Sequence, residues 1–338
     1  MTCENCETYR EKGAHFCPYC GDHLNGPRPA GAPRPRYGFI FIAGLVAAVQ
    51  GMLIMFFEML IGWSDTTTVI DGLGDRSYTL YYITPHIRDL VTIGPPGVSV
   101  LYIAEMIIVT ACFALMIILA LKRVRDKHGD IRALEDTAAY EMPVALGIML
   151  IVEIVYMALI RIGGTSTESG VSGSDVEMMF ALLHASLYEE VLTRLLMIGL
   201  PCLIVALLLK RKDSPWWKYL FGGAKYERWM LIFVVFSATF FGLAHLDNWD
   251  TWKFFPTFLF GLICGYLFLK YGLYATIGAH FINDYLSASD WAWNAPAMFA
   301  LGILAVGICS LPYVARYAVR GYNALKALIS EIKVRGSE

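Results

Sequence analysis

Long apolar runs alternate with short polar stretches along most of this chain. Eight runs approach or exceed the roughly 20 residues needed to cross a hydrocarbon core as a helix. They fall at about 38–62, 98–121, 142–162, 178–209, 229–246, 254–270, 272–289 and 296–316. The pattern predicts an all-α polytopic membrane protein of about eight transmembrane helices, with a multi-pass domain over 38–320 and a tail over 321–338. The polar stretches sort by charge. "LKRVRDKHGDIR" (121–132), 210–228 and the segment beyond Arg316 are basic, whereas 64–97, 163–177 and 247–253 carry Asp65, Asp71, Asp75, Glu168, Asp175, Asp247 and Asp250. Eight crossings with both ends inside put every basic loop on the cytoplasmic side. The N-terminus is therefore expected in the cytoplasm, and the chain in the cell membrane. Composition agrees: 57% of residues are hydrophobic and 17% charged, against about a quarter charged in a soluble domain. A net charge of −2 points to no nucleic-acid partner. The opening "MTCENCETYR" lacks a basic-then-apolar start, so no cleavable leader is expected.

Residues 1–25 depart from this pattern. Cys3 and Cys6, then Cys17 and Cys20, form two CxxC knuckles ten residues apart. Paired knuckles offer four thiolates, the donor set of a tetrahedral structural zinc. A head this short has no room for an apolar core, so the metal would replace one. Reduced thiolates again imply the cytoplasm. The expectation is a zinc ribbon over 1–25, with His15 and His23 as bystanders and a protein partner for the head. Proline and glycine in "NGPRPAGAPRPR" make 26–37 an extended basic tether. Cys112, Cys202, Cys264 and Cys309 lie in apolar runs and read as small packing residues.

Charges inside the spans are costly and commonly functional. Glu58, Glu105, Glu153 and Arg161 are isolated and read as structural. "LYEEVLTRLL" (187–196) is different. Glu190 and Arg194 are four apart, on one helical face, and can pair. Glu189 points about 100° away and is left as an unpaired carboxylate suited to general-base work. His245 ends the fifth span. His280 and Asp284, four apart in the seventh, let the carboxylate fix the imidazole tautomer. A glutamate with two histidines can activate water and stabilise an oxyanion, or hold a divalent metal that does so, and spacing does not separate the two. His184 and Asn283 read as supporting residues. Trp249, Trp252, Trp291 and Trp293 at span ends read as an interfacial belt.

Taken together, "EEVLTR", "FGLAH" and "HFIND" resemble the EExxxR, FxxxH and Hxxx(Asn/Asp) motifs of the CAAX-protease and bacteriocin-processing family of intramembrane endopeptidases. That family includes the type II CAAX prenyl endopeptidases. The resemblance covers roughly 140–316. It implies that Glu189 activates water, His245 helps hold it, His280 with Asp284 stabilises the oxyanion, and Glu190 and Arg194 support them. The substrate implied is a membrane-associated or prenylated protein or peptide. The Asx position holds Asp284, whose ionised form cannot donate, so Asp284 orients His280, is protonated, or leaves donation to Asn283. The glutamate reading needs no active-site metal. Two other classes stand beside it: a non-proteolytic scaffold or immunity protein with a docking head, and a proton-coupled transporter. By the charge pattern, Glu189 lies about 18 Å below the outer end of its span at 1.5 Å per residue, closer to the outer leaflet.

Overall fold

In hydrocarbon every backbone N–H and C=O must be satisfied within the protein, so long apolar runs adopt helices. In the computed structural model, which describes residues 38–167, 173–285 and 301–318 besides Glu7, they do. Contacts divide the chain into two units, Met1–Gly38 and Phe39–Glu338. The cysteine knuckles, the tether and the tail fall outside the described residues. Helices α1 (Phe39–Ser64), α2 (Thr66–Leu73), α3 (Gly97–Asp126) and α4 (Ala138–Ile162) are followed by α5 (Asp175–Glu190). A π-helical segment, Val191–Gly199, joins α5 to α6 (Leu200–Leu208). Then come α7 (Trp216–Phe221), α8 (Met230–Ala244), α9 (Phe254–Lys270) and α10 (Leu273–Tyr285), and α11 (Leu301–Ala318).

Among the described residues, seven helices are long and apolar enough to cross a membrane, as expected of an integral membrane protein. The expected span 272–289 falls on α10, which has 13 described residues; the stretch 286–300 lies outside them. The outward faces carry exposed Val49, Leu53, Ile107, Ile118, Leu159 and Leu207, a surface suited to lipid.

The loop expected at 64–97 is corrected. Beyond α2 it folds into an antiparallel hairpin, β1 (Tyr78–Ile83) and β2 (Ile87–Ile93). "YTLYYI" and "IRDLVTI" are rich in β-branched and aromatic residues that suit a pleated surface. Thr84 N–H bonds the His86 carbonyl to close the turn. The register skips Leu90, with Leu80 opposite Val91 and Tyr81 opposite Asp89.

Polar contacts sort the helix ends onto two faces. On one, Arg76 pairs with Glu177, and Asp247 accepts from Ile87 N–H at 2.6 Å beside His86 Nδ1 at 2.8 Å. These bonds join the three acidic loops. On the other, Lys270 pairs with Glu141 at 2.5 Å. There Tyr140 donates to the Phe41 carbonyl and meets Tyr313 Oη at 2.6 Å, so the start of α1 and the end of α11 share this face.

The scaffold behind the site is tight. On α9, Gly261 and Gly265 are four apart and face α8: a Cβ at Gly261 would lie 2.9 Å from Ala238 Cα, and one at Gly265 2.5 Å from Val234 Cγ1. Small residues at this spacing let helix backbones approach closely. Gly265→Val should therefore lower the thermal unfolding midpoint in detergent, consistent with an overpacking cost of about 1–3 kcal/mol. An unchanged midpoint would mean that α8 and α9 are not in this contact.

Candidate active site

α5 starts cleanly. Ser174 Oγ accepts from Glu177 N–H while Glu177 reaches back to the Ser174 backbone, a complete capping box. The helix then descends to Glu189 and Glu190, where its turns widen into the π-helical segment. Two hydroxyls donate to backbone carbonyls of this stretch. Thr193 Oγ1 donates to the Glu189 carbonyl at 2.5 Å, and Ser237 Oγ on α8 donates to the Thr193 carbonyl at 2.6 Å. Such segments recur at functional positions.

Glu190 and Arg194 are both fully buried. Arg194 Nε lies 3.2 Å from Glu190 Oε2, yet neither atom has an aligned hydrogen-bond partner. The attraction is therefore electrostatic rather than a directed bond. The guanidinium sits 5.3 Å from the Phe241 ring centroid, a desolvated cation–π contact worth up to about 2 kcal/mol.

Glu190 has a second partner absent from the local spacing. Its Oε1 lies 2.9 Å from His280 Nδ1. The other nitrogen, Nε2, is 3.3 Å from Asp284 Oδ2 and 3.7 Å from Glu189 Oε2. Asp284 thus meets His280 at one nitrogen, as the i,i+4 spacing suggested, and Glu190 holds the other. Asn283 Nδ2 donates to Asp284 Oδ1 at 3.2 Å. The imidazole is clamped edge-on by Phe260 and Phe241, with centroids 4.9 and 5.9 Å away.

His245 Nδ1 lies 2.8 Å from the Phe241 carbonyl. A carbonyl only accepts, so Nδ1 carries the proton and Nε2 is left as an acceptor. The phenylalanine of "FGLAH" therefore fixes the His245 tautomer through its backbone, and its buried ring touches His245, His280 and Arg194.

Glu189, His245, His280 and Asp284 line one cavity of about 620 Å³, whose wall also includes Asn283, Glu153, Lys253 and Tyr81. Glu189 and Asp284 retain 14% and 15% of their side-chain exposure, against 0% for Glu190. Adjacent glutamates thus have opposite surroundings: one sealed in protein, one open to the cavity.

Several wall residues were not read as site residues from the sequence. Tyr81 of β1 donates to Glu189 Oε1 at 2.6 Å. The Tyr81 phenol is held protonated well above its ordinary range, first by burial and then by the neighbouring carboxylate. Trp249 and Trp252, read as belt residues, line the cavity and flank Lys253 Nζ at 4.4 and 5.6 Å. Glu153 lines the cavity as well. Glu105, read as isolated, meets His184 Nδ1 at 2.6 Å with both side chains buried. Trp291 and Trp293 lie outside the described residues. Among the described residues, no three His, Cys, Asp or Glu side chains are grouped to hold a metal ion.

Removing Arg194 alone should strand a buried carboxylate. Arg194→Met should cost about 3 kcal/mol of stability, and adding Glu190→Gln should restore part of it. Chemical unfolding of the purified protein would measure both. A double variant no more stable than Arg194→Met would show that the two groups are not a pair.

No curated protein and no solved structure gives a match to this chain. Residues 175–286, from α5 through α10 and containing all three motifs, match the family model of the Type II CAAX prenyl endopeptidase Rce1-like proteins.

Proposed function

We propose that this protein is an intramembrane endopeptidase of the CAAX-protease type. In this reading it hydrolyses a peptide bond of a membrane-associated or prenylated substrate with glutamate-activated water. One observation carries the reading: an unsealed carboxylate, Glu189, shares a cavity with two imidazoles whose remaining nitrogens are fixed by Phe241 and Glu190. The family match over the same residues supports the protease class.

The residues divide the work as follows. A water between Glu189 and His245 gives its proton to Glu189, with His245 Nε2 accepting the second hydrogen to orient it. The hydroxide forms a C–O bond to the peptide carbonyl carbon, and the carbonyl π pair moves onto oxygen. His280 meets that oxyanion with an Nε2–H, which requires the imidazolium form. Glu190 accepts from Nδ1–H, and the one Nε2–H, which faces Asp284 at rest, is shared with the oxyanion as it forms. Asp284 thereby serves as an orienting acceptor, not a donor. Collapse of the intermediate breaks the C–N bond, and the proton on Glu189 passes to the leaving amine. Arg194 offsets the charge of Glu190, so that residue can hold His280 without competing for the proton. No step is routed through a metal.

At the N-terminus, Cys3, Cys6, Cys17 and Cys20 would hold a structural zinc as four thiolates; their spacing supports this. The head would offer a docking module to a protein partner in the cytoplasm. Basic Arg123 and Arg125 at the end of α3, and Lys210 and Arg211 just after α6, support that orientation.

Two measurements test the reading. Reconstituted protein should cleave a farnesylated C-terminal peptide or another membrane-anchored peptide, and Glu189→Gln or His245→Ala should each reduce the rate by at least about 10²-fold. Full cleavage by both variants would refute the mechanism, whereas no cleavage by the wild type would favour the scaffold. Metal analysis of the full chain should find zinc that a Cys17→Ser/Cys20→Ser variant has lost; equal zinc in both would refute the ribbon.

A further inference from the structure

The hairpin ends some eighty residues before the segment that matches the protease family, yet it touches the residue to which the proposed mechanism assigns the proton transfer. Its first strand and its tip are held by several contacts. On α5, Phe180, His184 and Tyr188 recur every four residues and stack in sequence, with centroids 5.7 and 4.7 Å apart. The β1 tyrosines dock edge-on against this ladder: Tyr78 against Phe180 and His184 at 4.9 and 4.8 Å, and Tyr81 against Tyr188 at 5.4 Å. Glu105 of α3 holds His184, the middle rung.

Tyr78 and Tyr81 are three apart and would face opposite sides of a regular strand. The skipped Leu90 breaks the ladder between Leu80 and Tyr81, and such irregularities increase local twist and re-aim side chains. Both tyrosines line the same cavity. Tyr188 Oη donates to the Tyr81 carbonyl at 2.7 Å, so the backbone at that residue is gripped too. At the hairpin tip, Asp247, in the turn that follows α8, accepts from Ile87 N–H and meets His86.

The consequence at Glu189 is specific. With Oε1 bonded to the Tyr81 phenol, the carboxylate cannot rotate freely. Oε2 is then the oxygen beside His280 Nε2, at 3.7 Å. We propose that Tyr81 is a positioning residue for the general base: the 78–93 hairpin is a strap, latched by Asp247, that fixes which oxygen of Glu189 receives the proton from water. This rests on the glutamate-activated reading above. It assigns to a segment outside the family match a direct hold on the reacting carboxylate.

The test is a double-mutant cycle read in kcat and KM against a cleaved peptide. Tyr81→Phe should lower kcat by roughly ten- to hundredfold, the effect of losing one hydrogen bond to a charged group. KM and the unfolding midpoint should stay close to wild type. Asp247→Ala leaves every cavity side chain intact and only frees the hairpin tip, and it should lower kcat in the same direction. The double variant should be little worse than Tyr81→Phe alone, because both changes remove one constraint. Wild-type kcat in Tyr81→Phe, changes confined to KM or stability, or fully additive losses would each overturn the proposal. If Tyr81→Phe fails to fold, Asp247→Ala decides: wild-type kcat there refutes the strap, and reduced kcat at unchanged KM supports it. Glu189→Gln runs alongside. If it still cleaves, the mechanism itself fails; if it is inactive while Tyr81→Phe keeps wild-type kcat, only the strap does.

Discussion

A carboxylate sealed away from water must be neutralised from within the fold, and the position of Glu190 makes that requirement the organising constraint of the site. Its two oxygens face different helices. Oε2 lies against Arg194 one turn further along its own helix, and Oε1 against His280 on α10. Arg194 in turn reaches α8 through the Phe241 ring and Ser237. One buried charge thus ties together the three elements that carry the motifs. Removing one partner of such a group leaves the others uncompensated, which is why it acts as a unit.

The same constraint separates the roles of two identical neighbours. Glu190 is used up by its partners and serves as structure. Glu189, about 100° around the helix, faces the cavity and the hairpin, with Tyr81 on one oxygen and His280 near the other. The π-helical widening begins just after them, and the Thr193 and Ser237 hydroxyls donate to the Glu189 and Thr193 carbonyls. Site geometry therefore follows from how polar groups are distributed in a low-dielectric interior, where each unpaired one is expensive.

Local periodicity made much of this legible. The apolar runs located the helices, and the i,i+4 spacings anticipated Glu190 with Arg194 and His280 with Asp284. What the sequence could not show was contact between distant segments. Nothing near Glu190 announces His280, 90 residues on, and nothing near Glu189 announces Tyr81, 108 residues before it. The hairpin had a local signature in the β-branched and aromatic runs on either side of "TPH", but a polar stretch between two long spans reads first as a loop. Trp249 and Trp252 show the same limit: their position near span ends fits a lipid interface, whereas their neighbours place them in the cavity wall. The cysteine knuckles remain a reading of spacing alone.

The most direct test of the central claim is the coupling between Glu190 and His280. Unfolding free energies of Glu190→Gln, His280→Gln and the double variant, measured in one detergent, give the pairwise term. Residues in one buried network should couple by about 1 kcal/mol or more. Additivity within about 0.5 kcal/mol would show that the two side chains do not meet, and the site built around them would not stand.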